Sequence, residues 1–65
     1  MRKRFKCDIY PEDELIVYID EIDWDNVKGK FIAIDLEHVE DNCVLLSKEK
    51  AEKLVEHINK LISKL

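Results

Sequence analysis

Glycine and proline are nearly missing from this chain, which has one of each, Gly29 and Pro11. That scarcity leaves no flexible or proline-rich linker, so the 65 residues read as one domain. Cysteine is scarce too. Cys7 and Cys43 form at most one bridge, which is not a disulfide framework. Arg2-Lys3-Arg4 runs into Phe5-Lys6-Cys7-Asp8, without the apolar stretch of a secretion signal, so reduced thiols in a cytosol are expected. No apolar run approaches the roughly 20 residues that span a bilayer. Internal repeats and low-complexity tracts are also lacking. Small size adds its own exclusion: a chain this short buries roughly 60% of its unfolded surface, which leaves a thin core and little room for a catalytic cleft.

Charge is what the chain has in abundance. Asp, Glu, Lys and Arg make up 40% of the residues, beside a normal apolar content of 46%, a mixture that argues for a folded domain. The charge is segregated. Residues 8–42 hold twelve acidic side chains against two Lys; Arg2, Lys3, Arg4 and Lys6 precede them; the tail from Cys43 to Leu65 has five Lys and three Glu. The formal net charge of −4 hides this division.

The tail predicts an amphipathic helix over residues 48–65. Ala51, Leu54, Val55, Ile58, Leu61, Ile62 and Leu65 recur at gaps of three and four and form one stripe. Ser47 is a natural N-cap, and Glu49–Lys53 and Glu56–Lys60 are favourable pairs one turn apart. Everything before Ser47 reads as strands. Phe5, Cys7 and Ile9 alternate with polar neighbours, and Pro11-Glu12-Asp13 makes a turn. Leu15–Ile22 is rich in β-branched and aromatic residues. Asp25-Asn26 and Gly29 mark a loop, Phe31–Glu37 resumes the strand pattern, and Asp41-Asn42 turns the chain into Cys43–Leu46. Connections this short favour antiparallel neighbours. The expected fold is therefore α+β: a three- to four-stranded antiparallel sheet in ββββα order, covered on one face by the C-terminal amphipathic helix.

One helix covers one face. Ile32, Ile34 and Leu36 are expected beneath it, together with Leu15, Val17 and Ile19, because the alternative set includes Asp20, costly to bury unpaired. Ile16, Tyr18, Ile22, Phe31 and Ala33 are then left on the open face, beside Asp20, Asp35 and Glu37. Such a face has a plain account as a solvated surface that blunts sheet edges. Its aromatic residues favour a binding surface, since aromatics are enriched in interface cores. Carboxylates two apart on a strand lie ~6.8 Å apart, about two axial steps of one DNA strand at ~3.4 Å each, so a row of them matches sites built for phosphates. The candidate partner-binding residues are Asp20, Asp23, Asp25, Asp35 and Glu37 for charge, with Tyr18 and Trp24 as anchors. The same open face supports a rival expectation, a structural homodimer or accessory subunit with no nucleic-acid connection.

Other chemistry is poorly supported. Counting from Asp23, a calcium loop needs Gly sixth and Glu twelfth, where the chain has Lys28 and Ile34. Cys7, Cys43, His38 and His57 have no zinc-ligand spacing. No cofactor, metal or catalytic residue is expected, and the chain is not expected to be an enzyme. The four basic residues near the start are a footprint without a nucleic-acid motif, beside an acidic body that repels phosphate.

In size, in its acidic strands Glu14–Asp25 and Phe31–Asp41, and in the Lys-rich end at Leu46-Ser47-Lys48-Glu49, the chain resembles small acidic phage-encoded proteins that bind and disable a host protein. Several of those mimic DNA on a sheet surface. The resemblance covers the whole chain but rests on composition, so it carries over no residue roles. It implies a viral protein acting in the bacterial cytoplasm, an inhibitor of a basic DNA-binding host protein, with a histone-like nucleoid protein as one concrete target.

Overall fold

The computed structural model describes residues 1–37 and 42–65. Four strands and one helix follow in sequence: β1 (Lys3–Lys6), β2 (Glu14–Asp23), β3 (Lys28–Leu36), β4 (Cys43–Leu46) and α1 (Lys48–Ile62). The sheet is antiparallel throughout, in the order β1-β2-β3-β4. The chain thus has the expected ββββα, α+β arrangement. Of the expected turn at Asp41-Asn42, Asp41 lies outside the described residues. No helix among them is long and apolar enough to cross a membrane.

Two strands differ from the sequence reading. The first strand ends at Lys6, so Cys7 and Ile9 do not continue it. Instead Cys7 and Asp13 close a loop: the Cys7 amide donates to the Asp13 carbonyl at 2.9 Å, and the Asp13 amide donates to the Tyr10 carbonyl at 2.9 Å. Pro11 inside that turn has no amide to give a ladder. Gly29 lies within β3 and not in the loop, which is Trp24–Val27, closed by the Trp24 amide on the Val27 carbonyl at 2.9 Å. Its φ of +141° is a conformation that other residues rarely adopt.

Register sorts the sheet residues into two faces. On one face, Arg4, Ile16, Asp35 and Cys43 form a row across the strands; Tyr18, Ala33 and Leu45 form the next; Asp20 stands opposite Phe31, and Ile22 opposite Gly29. The other face carries Phe5, Leu15 and Leu36, then Lys3, Val17, Ile34 and Val44, then Ile19, Ile32 and Leu46. These are the groupings that alternation predicts, but burial runs against the expected assignment. The buried apolar residues are Ile16, Ile22 and Ala33, all on the face expected to be open, whereas Ile19 on the other face is 59% exposed.

The sheet's own side chains explain the reversal. Ala33, at 0% exposure, sits between the larger Tyr18 and Leu45 on the neighbouring strands. Ile16 is flanked by Arg4, whose long stem can cover apolar surface while its head stays wet. Ile22 faces a glycine, and Phe31 leans over that glycine: its Cε2 would lie 3.9 Å from a Cβ at position 29. This is an aromatic filling the gap that a strand glycine leaves.

The helix begins as expected. Ser47 Oγ accepts from the Lys50 amide at 3.3 Å, and the pairs Glu49–Lys53 and Glu56–Lys60 both close at 3.5 Å. It ends earlier than the apolar stripe, at Ile62, with Ser63 Oγ donating to the Lys60 carbonyl. Its cover of the sheet is partial. No helix residue is buried, and only Ala51 and Leu54, both in the first two turns, are half-buried. Lys48, Ala51, Glu52 and Val55 border a groove whose other wall includes Ile19, Lys30 and Ile32.

Candidate functional site

The candidate residues divide into two places. Tyr18, Asp20, Asp35 and Glu37 are half-buried, and the first three belong to the face that carries Ile16 and Ala33. Asp23, Trp24 and Asp25 are exposed at the far end of the β2–β3 hairpin. Alternation along β2 also turns Asp23 to the opposite face from Asp20, and it pairs with Lys28 at 3.6 Å. The expected acidic set is therefore not one surface. Trp24, 58% exposed, stands at the hairpin tip and not on the Tyr18 face.

Around Tyr18 the geometry is specific. The Arg2 guanidinium lies over its ring, 4.3 Å from the centroid, within the range of a cation–π contact. The Tyr18 hydroxyl and Cys43 Sγ are 4.0 Å apart and share a hydrogen bond. That bond is the main reason the phenol titrates above its ordinary 10.0; desolvation and the negative charges of Cys43, Asp35 and Asp20 act in the same direction. By register both aspartates stand on the Tyr18 face, Asp20 two residues along β2 and Asp35 diagonally across on β3. Among the described residues, neither Asp20 nor Asp35 is in an ion pair.

Glu37 belongs to a second cluster. Arg4 Nη1 donates to Glu37 Oε2 at 2.6 Å and to Glu14 Oε2 at 2.9 Å. The Arg4 hydrogen bond is the largest influence holding the Glu14 carboxyl below its ordinary 4.5, and Glu37, which shares the same guanidinium, acts in the same direction. Reciprocally, Glu14 and Glu37 raise the Arg4 guanidinium. The basic first strand thus neutralises part of the acidic face, which sequence reasoning missed. The signal was present: β1 must neighbour β2, and its alternation puts Arg2, Arg4 and Lys6 on one side together.

The two cysteines are free, Cys7 half-buried and Cys43 exposed. Among the described residues, no group of acidic, histidine or cysteine side chains could hold a metal ion. Comparison with protein-family models, with curated proteins and with solved structures gives no match. What remains as chemistry is a phenol ring on one face with two unpaired carboxylates, and with a guanidinium seated on it. That arrangement can attract a cation.

Proposed function

We propose that this chain is a protein-binding module that takes a basic partner on the Tyr18 face, with Asp20 and Asp35 supplying charge and Trp24 at the hairpin tip as a second anchor. One observation carries the reading: the chain's own Arg2 already lies over the Tyr18 ring, on the face that carries the two carboxylates. An arginine or lysine from another protein would find the same attractions there, cation–π and Coulombic. Arg4 takes Glu37 out of this set, so the charged part is smaller than a continuous DNA-like wall.

The sharper form of the proposal is inhibition of a basic DNA-binding host protein, a histone-like nucleoid protein being one concrete target, by occupying its phosphate-binding surface. The test is binding to such a purified protein by calorimetry at low and at physiological salt. Affinity is expected to fall about tenfold or more between the two, because contacts between exposed charges are screened. Asp20→Lys with Asp35→Lys should abolish binding, and duplex DNA should compete. Binding that ignores both the salt and the double substitution refutes the reading.

A further inference from the structure

The chain exposes far more surface than its mass requires. A folded monomer of 7.7 kDa exposes about 4,300 Å², whereas this one exposes 5997 Å². Its radius of gyration is 13.6 Å, against about 11 Å for a compact domain of 65 residues. Two apolar surfaces contribute to the excess. One is the helix stripe beyond the second turn, where Val55 is 57%, Ile58 44% and Ile62 57% exposed. The other is the sheet face of Phe5, Leu36 and Val44, at 51%, 44% and 54%. A 15-residue helix is marginal in water without tertiary cover for its apolar side. Here the sheet covers only its first turns.

We infer that both surfaces are covered by a second copy of this chain, each copy laying its helix stripe across the other's Phe5–Leu36–Val44 face. Three features favour this occupant. First, the ridge fits within the face: Val55 to Ile62, where the helix ends, spans about 10 Å at ~1.5 Å per residue, and four strands ~4.8 Å apart are about 14 Å across. Second, ridge and face lie on one chain, so a twofold exchange covers both at once, which a foreign partner seated on either alone does not. Third, the area suits a dimer. The excess of roughly 1,700 Å² per copy allows up to roughly 3,400 Å² for a pair, which reaches into the ~2,000–5,000 Å² of obligate homodimers. Asp20 and Asp35 stand on the opposite face by register, so they do not meet their symmetry mates. The Tyr18 face stays free in such a dimer, so this inference stands or falls apart from the proposed function.

Sedimentation equilibrium of the full chain over about 1–100 µM is expected to give twice 7.7 kDa, with a thermal midpoint that rises with concentration. Ile58→Asp with Ile62→Asp should weaken association by about 100-fold or more. Phe5→Ser with Val44→Ser should weaken it from the sheet side, while Asp20→Lys with Asp35→Lys leaves the mass unchanged. A monomeric wild-type chain whose midpoint ignores concentration overturns the inference. So does a dimer that survives the helix and sheet substitutions but separates when Asp20 and Asp35 are changed.

Discussion

The Arg4 guanidinium reaches Glu37 Oε2 at 2.6 Å across 33 positions of sequence. With Glu14 as its second acceptor, it ties the outer strand β1 to the start of β2 and to the end of β3. One side chain thus clamps three strands at the same end of the sheet. The clamp holds Glu14 ionised, so protonating that carboxyl weakens it and stability depends on pH. Because the Glu14 carboxyl is held below 4.5 in the folded chain, its contribution is complete above that value and is lost as pH falls through the folded-state value. Glu14→Gln should therefore lower the urea midpoint near pH 7 and lower it less once the pH is taken down through the folded-state value. An equal loss at both pH values would show that Glu14 stabilises by packing and not by charge.

Tyr18 supplies a spectroscopic check on its neighbours. Its hydrogen bond with Cys43 is the largest cause of its raised titration. Cys43→Ala should move the phenolate absorbance transition back toward 10.0, and Asp35→Asn should move it less. If the cysteine substitution leaves the transition in place, the 4.0 Å contact is not formed in solution.

Burial on the Tyr18 face predicts where the core is sensitive. Ile16→Ala should cost about 2–5 kcal/mol, the range for deleting a buried aliphatic side chain. Ala33→Leu should cost about 1–3 kcal/mol, because Tyr18 and Leu45 leave no room at that position. Ile9→Ala, at a site 77% exposed, should stay within about 0.5 kcal/mol. Chemical denaturation measures all three. A larger effect at Ile9 than at Ile16 would contradict the burial order.

The helix start gives a fourth prediction. Ser47→Ala removes the acceptor for the Lys50 amide and should cost about 1 kcal/mol. Ser47→Asp should recover most of it, since aspartate caps as well and adds charge at the positive end of the helix dipole. Helical ellipticity at moderate urea is the readout.

Much of this architecture was legible in the sequence because period and punctuation agreed. The stripe from Ala51 to Leu65, Ser47 before it and the paired charges one turn apart specify the helix without help from tertiary structure. The faces of β2 were harder. Its residues are apolar on both sides, so alternation could group Ile16 with Tyr18 and Ile22 but could not say which group the fold buries. Size matching between strands decided it: Ala33 is small enough to be roofed by its neighbours, and Gly29 lets Phe31 fold over toward Ile22. Those are cross-strand facts that appear only with the register. The candidate site was half legible for the same reason. Tyr18, Asp20 and Asp35 share a face by simple alternation. The capture of Glu37 by Arg4 required knowing that β1 stops at Lys6 and pairs Arg4 with Ile16.

The plain neighbour order of the sheet, β1-β2-β3-β4, bears on how the chain reaches this fold. Each strand pairs only with strands adjacent in sequence, so no distant segments must find one another first. Closing the short Trp24–Val27 loop brings β2 and β3 into register along nine facing pairs, and β1 and β4 can then add in either order. Loop-closure entropy is small at every step. A sheet assembled this way should fold quickly for its strand content, in the manner of low-contact-order domains, with the β2–β3 hairpin as its nucleus.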